Sequence, residues 1–397
     1  MSPTLPRVQG SCPAPSMVRE MPLRANNKGL SFMKKIKSVF LSAIQQNAGK
    51  TTIALGLYKV FQERKLKPAF MKPVGQQYVM VKDQNIDKDS YLIGEVYRCQ
   101  QKFKEMSPIT LGRGFTEQYI THPRKDVLRR EIEQSFTRLT KNKNVMIVEG
   151  TGHAGVGSVI DCSNADVADL LGSKVIIIAG GGIGRTIDEI SLNKALFDLK
   201  QVQVLGVIVN KVLPEKYDKI KNVLHRGLKN KGIKLLGVIP IDPILSSPMM
   251  QQVMTALNLQ LISGEENLNT HVENTIVAAM EPQNMVTYLK DGTLVITSGD
   301  RIDNILVTMS THLLSQRSRF RIAGIILTGG MVPDVRIINL LRKSKIPVLL
   351  SANDTYTVAG KIESLICKIE KTDKDKIQEA LHLVKKYVDT EEILKAL

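Results

Sequence analysis

Between residues 38 and 64 the chain passes from a short apolar strand through a loop into an amphipathic helix, and the loop ends in Gly49-Lys50-Thr51-Thr52. Ser38-Val39-Phe40-Leu41 has strand character, and Ile53, Leu57, Val60 and Phe61 share one face of the helix that follows. Strand, loop and helix in this order are the setting in which Gly-Lys-Thr forms a phosphate-binding loop. Backbone N–H groups at the start of the helix converge on one point, where the helix dipole also favours negative charge. In such a loop the lysine reaches the β- and γ-phosphates of a nucleotide and the following hydroxyl ligates Mg²⁺, so Lys50 and Thr51 are the candidates here. Asn47, Gly49 and Thr52 complete the second half of the cradle. The early glycine of the motif is absent, its place taken by Ala43 or Ile44.

The alternation continues to about Pro240. Apolar runs at Val39–Ser42, Ala69–Lys72, Val145–Val148, Val175–Ala179, Val204–Val209 and Leu235–Ile239 are separated by helical patterns at Thr52–Arg64, Arg130–Leu139, Thr186–Leu199 and Lys216–Leu228. Near-continuous Val/Ile runs between helices predict an α/β fold with a parallel sheet covered on both faces. Ligands bind beyond the carboxyl ends of such strands. The sharpest loops fall there: Gly49-Lys50-Thr51, Lys72-Pro73-Val74-Gly75, Glu149-Gly150-Thr151-Gly152 and Asn210-Lys211. From Ser247 onward a second, smaller alternation follows, with strands at Leu294–Thr297, Ile322–Leu327 and Val348–Leu350 and helices at Asp303–Leu314 and Val335–Leu341. A last helix over Asp375–Val388 carries Ile377, Ala380, Leu381 and Val384 on one face, and this helix is expected to belong to the second unit. The expected division is therefore an extension over 1–32, a first domain over 33–246 and a second over 247–397.

The extension holds Pro3, Pro6, Pro13, Pro15 and Pro22 with Glu20 as its one acid, and reads as a disordered or transit-like segment ahead of Met33. Cys12, Cys99, Cys162 and Cys367 form no Cys-x-x-Cys pair, which excludes a zinc framework of that spacing and fits a reducing, cytoplasmic setting. No apolar run approaches the ~20 residues that span a bilayer. The net charge of +17 raises the question of nucleic acid, but the basic residues are spread along the chain and aromatics make up only 5%, so stacking platforms are scarce. A basic surface that attracts nucleotide phosphates explains the charge more simply.

Among candidate chemical groups, Glu149 ends a buried strand beside the loop, where a carboxylate holds Mg²⁺ or orients water. Lys72, at the end of the second strand, is placed to neutralise a transferring phosphoryl group. Asp83, Asp87 and Asp89 form an acidic cluster with the look of a solvated loop, any one of which is able to complete a metal shell. Gly180-Gly181-Gly182-Ile183-Gly184 departs from dinucleotide spacing and reads as a strand-to-helix turn. His122, His153 and His271 lack metal-ligand spacing.

In this order the motifs resemble the dethiobiotin synthetase-like branch of P-loop proteins, in particular the N-terminal region of long phosphate acetyltransferases. Gly49-Lys50-Thr51-Thr52, Met71-Lys72-Pro73-Val74-Gly75, Val148-Glu149-Gly150-Thr151-Gly152, Gly206-Val207-Ile208-Val209-Asn210 and Leu236-Gly237-Val238-Ile239-Pro240 carry the resemblance. Residues 247–390 look like the DRTGG domain that follows in those proteins, on Gly299-Asp300-Arg301, Thr328-Gly329-Gly330 and Asn353-Asp354-Thr355. The resemblance implies a P-loop NTPase-like sheet, ATP and Mg²⁺ as cofactors, and a catalytic pair in Lys50 and Lys72. It further implies metal contacts from Thr51, Asp89 and Glu149, adenine recognition by Asn210 with the loop after Pro240 beside the base, and pairing of copies through the second domain. Gly75-Gln76-Gln77 is bulkier than the Ser-Gly pair of the synthetases, and His153-Ala154-Gly155 also departs. Substrate-side residues have changed while phosphate-side residues have not. The expected function is an ATP-binding sensor with slow or no hydrolysis, with a ligase of the dethiobiotin synthetase type as the alternative. The sequence ends at Leu397, directly after the DRTGG-like region, so phosphate acetyltransferase activity is not expected of it.

Overall fold

Six apolar segments, buried along almost their whole length, pair in parallel to make the first sheet. They are β1 (Lys37–Ala43), β2 (Pro68–Met71), β3 (Val145–Glu149), β4 (Lys174–Gly180), β5 (Val204–Val212) and β6 (Leu235–Pro240), in the spatial order β6-β5-β4-β1-β3-β2. The structure is a computed structural model that describes residues 36–99, 102–314, 320–365 and 367–397; the extension expected over 1–32 lies outside them. Helices α1 (Lys50–Glu63), α2 (Lys88–Val96), α3 (Lys125–Thr140), α4 (Gly184–Leu199) and α5 (Tyr217–Lys229) accompany the strands. β1 lies at the centre, with the chain leaving it first toward β2 and later toward β4, so the crevice at its carboxyl end is a topological switch point.

The second sheet has five strands: β7 (Gln260–Ser263), β8 (Asn274–Val277), β9 (Thr293–Ser298), β10 (Ile322–Thr328) and β11 (Val348–Leu350), in the order β7-β11-β10-β9-β8. β7 alone runs antiparallel. Side chains alternate between its two faces, as the period of a strand requires. Leu294 and Ile296 enter the cluster with Met250 and Val358, whereas Val295 enters the cluster with Ile305 and Leu341. Helices α6 (Met250–Leu257), α7 (Ile302–Leu314), α8 (Val335–Ser344) and α9 (Thr355–Glu363) cover it. Ile36–Leu397 is one compact unit.

Two local expectations are corrected. Residues 78–87 are an antiparallel ribbon, Tyr78–Val81 against Gln84–Asp87, and Asp87 and Asp89 at its exit are buried instead of solvated. The helix expected to be the last, α10 (Lys374–Tyr387), packs on the first domain. Leu383, Val384, Val388 and Ile393 belong to the first domain's hydrophobic core, the last of them from α11 (Thr390–Ala396). Val384 sits so close to α1 that a Cβ on Gly56 would lie 2.3 Å from its own Cβ, so only glycine allows this helix pair to approach. On the expected apolar face Leu381 is half-buried, and Leu383 takes the interior position.

Candidate functional site

The loop between β1 and α1 turns through two left-handed residues, Asn47 (φ 58°) and Gly49 (φ 95°). Gly49 is needed twice, for its backbone and for the close approach of Asn210, whose Nδ2 would lie 2.2 Å from a Cβ there. Asn210, near the end of β5 and buried, donates from Nδ2 to the carbonyl of Ala48 (2.9 Å), and its Oδ1 accepts from the Lys211 N–H (2.9 Å). Lys211 Nζ donates to the Asn47 carbonyl (2.9 Å). Strand β5 thus clamps the phosphate loop from across the sheet. Asn210, expected at adenine, spends part of its amide on the loop backbone while also facing the cavity.

Beyond the strand ends lies a buried cluster of one lysine and three acids. Lys72 leaves the end of β2. Asp87 caps α2, accepting from the Asp89 N–H (2.9 Å), and places Asp89 in the first turn. Glu149 is the last residue of β3. Lys72 Nζ is paired with Asp89 and lies 3.4 Å from Asp87 Oδ1 and 3.7 Å from Glu149 Oε1. Gly75 leaves the room for this, since a Cβ there would meet Asp87 Oδ2 at 2.5 Å. The Thr51 hydroxyl donates to Glu149 Oε1 (2.9 Å), joining the phosphate loop to the cluster.

Burial sets the protonation of these groups and the partners correct it. Burial pushes Glu149 up to about 7, and the neighbouring Asp89 charge adds to this against the pull of Lys72 and Lys50. Burial works against the charge of Lys72, but Asp89, Glu149 and Asp87 outweigh it and hold the ammonium above the usual lysine range. Burial also lowers Lys50, which Glu149 partly offsets. Asp89 feels the same burial, yet Lys72 and then Lys368 bring it below the carboxylate range.

All of the expected site residues line one cavity of about 370 Å³. Asn47, Gly49, Lys50, Thr51 and Thr52 form its phosphate-loop side. Lys72, Asp89 and Glu149 form the acidic floor, and Asn210 and Pro240 line it from the ends of β5 and β6. Gln77, Asp242 and Lys368 also line it and were missed, and Asp87 and Lys211, read only as a loop acid and as part of a strand-end loop, line it too. Asp87 had a readable signal, because Asp87-Lys88-Asp89-Ser90 is a helix start with an N-cap acid. Lys368 had none, being almost 300 residues from its partner Gln77.

The fit of a divalent cation rests on Glu149. Its Oε2 is buried with no hydrogen-bond partner among the described residues, while Oε1 takes the Thr51 hydroxyl. No group of three or more His, Cys, Asp or Glu among the described residues is arranged to cage a metal by itself. That pattern suits Mg²⁺, which is usually held by one or two carboxylates together with substrate phosphates.

The sheet order, the clamped Gly-Lys-Thr loop and the acid at the end of β3 define a P-loop NTPase-like protein followed by a smaller α/β domain. Residues 37–249 match the family described as AAA domain, over half of the sequence, and the chain belongs to that family; residues 252–365 match the DRTGG domain. A phosphate acetyltransferase of Synechocystis sp. is 28% identical over 91% of this chain and 52% of its own length. That of Nitratidesulfovibrio vulgaris is 26% identical over 90% of this chain and 51% of its own. The chain thus spans about half the length of the curated relatives it matches. Among solved structures, the MinC:MinD cell division protein complex of Aquifex aeolicus gives 13% identity and a TM-score of 0.36, covering 53% of this chain and 83% of that one. The CBS and DRTGG domains of the regulatory region of Clostridium perfringens pyrophosphatase give 16% and 0.26, covering 44% and 85%.

Proposed function

We propose that this chain is an Mg-ATP-binding regulatory module, related to the N-terminal region of phosphate acetyltransferases, that hydrolyses ATP slowly or not at all. One observation carries the reading: the Thr51 hydroxyl and Glu149 Oε1 are hydrogen-bonded beside the left-handed Gly49 turn, with Glu149 Oε2 buried and unpartnered. Thr51, Asp89 and Glu149 would hold Mg²⁺, which supplies charge neutralisation at the β- and γ-phosphates. The N–H groups opening α1 and the Lys50 ammonium then orient the phosphates. Asn210 and Lys211 keep the loop in its binding shape before the nucleotide arrives.

Slow turnover is the expected consequence of Lys72. A ligase of the dethiobiotin synthetase type needs this ammonium at the carboxylate or carbamate of a substrate, whereas here three protein carboxylates surround it. The ligase remains the second reading because Lys72 stands at the cavity floor, where charge on a phosphoryl group develops. The two are separated by phosphate release from saturating Mg-ATP, with and without a diamino acid plus bicarbonate, using Lys50→Ala as the blank. Lys50-dependent binding with slow, substrate-indifferent release is expected. Release that jumps with substrate and disappears in Lys72→Ala would establish the ligase, and absence of Lys50-dependent ATP binding would overturn both readings.

A further inference from the structure

Part of the cavity wall comes from the far end of the chain. Leu365, Cys367, Lys368 and Ile369, in the segment that leaves α9 of the second domain and enters α10 on the first, line it. Lys368 is half-buried, and its Nζ donates to Gln77 Oε1 at 2.8 Å. Gln77 belongs to the same loop system as the acids, because its carbonyl accepts from Lys88 N–H (2.8 Å) at the start of α2.

Outside the phosphate loop, which carries Lys50, the partners of Lys368 distinguish it from the other cavity lysines. Lys72 is consumed by three carboxylates, and Lys211 by the Asn47 carbonyl. Lys368 has a neutral amide as its hydrogen-bond partner and makes no salt bridge among the described residues. Four lysines and four acids line the cavity, so without Lys368 its wall would be net acidic, an unfavourable surface for a polyanion. The position also selects a phosphate. Lys368 lies close enough to the acidic floor to draw Asp89 downward. A triphosphate seated on the Gly49 loop extends its terminal phosphate toward that floor.

The backbone of Lys368 is gripped by the second domain: Gln252 Nε2, on α6, donates to its carbonyl at 3.1 Å. The Gln252 side chain is itself fixed, since its Oε1 accepts from Met249 N–H at 3.0 Å. A few residues on, Lys371 Nζ donates to the Tyr91 hydroxyl at 2.6 Å, tying the segment to α2, the helix that carries Asp89.

Resting on the nucleotide-binding reading above, we propose that Lys368 is a sensor for the terminal phosphate of a bound nucleoside triphosphate, supplied to the site by the segment between the domains. It exchanges the neutral Gln77 amide oxygen for an anionic phosphate oxygen, so a bond from an ammonium to a dipole becomes an ion pair. Because Gln252 holds its backbone, the exchange biases the second domain. A diphosphate leaves Lys368 on Gln77 and transmits nothing.

Calorimetric titration of the full chain with Mg-ATP and Mg-ADP tests this, alongside hydrogen exchange of residues 250–257 with and without each nucleotide. Lys368→Gln is expected to weaken Mg-ATP by about 10-fold or more and to leave Mg-ADP within about 2-fold. Lys368→Arg restores the preference. Mg-ATP is expected to protect 250–257 in the wild type and not in Lys368→Gln. Gln252→Ala keeps the cation, so ATP affinity is retained and the protection lost. Wild-type-like ATP affinity in Lys368→Gln, or equal loss of both nucleotides, overturns the proposal; protection that survives in Gln252→Ala overturns the coupling. Failure of the nucleotide reading looks different, since Mg-ATP would then show no Lys50-dependent binding to the wild type.

Discussion

Lys72→Met removes one positive charge from a buried site and keeps most of the aliphatic stem, so the variant isolates electrostatics from packing. A unit-charge pair at the 3.4 Å separating Lys72 Nζ from Asp87 Oδ1 interacts by about 5 kcal/mol at an effective dielectric of about 20. The Glu149 pair at 3.7 Å is nearly as strong, and the Asp89 pair is closer still. Desolvation of the lysine, protonation among the orphaned acids and local relaxation recover much of this. Breaking a buried ion pair by removing one partner typically costs about 3–5 kcal/mol, and that is the expected loss. Asp89→Asn alone should cost less, because Lys72 keeps two carboxylates. In the double variant the orphaned charge at position 89 is gone, so its cost should fall at least about 1 kcal/mol short of the sum. The assay is urea unfolding followed by far-ultraviolet circular dichroism, since the chain contains no Trp. Millimolar Mg²⁺ should stabilise Lys72→Met more than the wild type. Additivity of the two substitutions within about 0.5 kcal/mol would refute the argument that the cluster acts as one electrostatic unit.

Gly49→Ala places a Cβ against Asn210 and requires φ near 95°, so nucleotide-dependent thermal stabilisation should be lost, with about 1–3 kcal/mol of strain in the free protein; an unchanged shift on Mg-ATP addition would contradict the clamp. Val384→Ala opens a cavity over Gly56 and should destabilise the first domain by about 2 kcal/mol, and truncation after residue 365 should prevent that domain from folding, both measurable as loss of protection in α1 by hydrogen exchange. His312 Nδ1 accepts from the Ile322 N–H (3.2 Å), and burial, with Arg321, holds this imidazole below its ordinary pKa. The unfolded chain therefore takes up the proton first, and this part of the stability is present above about pH 6.5 and lost as the pH falls below it. His312→Gln should flatten the melting temperature between pH 7 and 5.5 relative to the wild type.

Local order was written plainly in the chain. Each of the six main apolar runs became a strand, and the Gly49-Lys50-Thr51 turn, Lys72, Glu149 and Asn210 were placed at strand ends because a parallel α/β alternation leaves them no other position. Two boundaries moved: α3 begins at Lys125, five residues before the expected Arg130, and β5 continues to Val212. Asp87 looked like a loop acid because its burial comes from partners distant in sequence, Lys72 and the Ser107 hydroxyl.

What the sequence alone determined is therefore periodic and local: the element types, the phosphate loop, and which end of the sheet carries the chemistry. What only the tertiary structure decided is partnership. An apolar stripe on α10 fits either sheet equally well as a pattern, and the close approach allowed by Gly56 assigns it to α1. The charge of Lys72 has no value until three carboxylates from two other segments share its low-dielectric site. Lys368 enters the cavity beside the Gly49 loop only because the chain returns from the second domain past Gln77. Hydrophobic periodicity encodes which face is buried, but not against what, and electrostatics depends on distances that only the folded chain supplies.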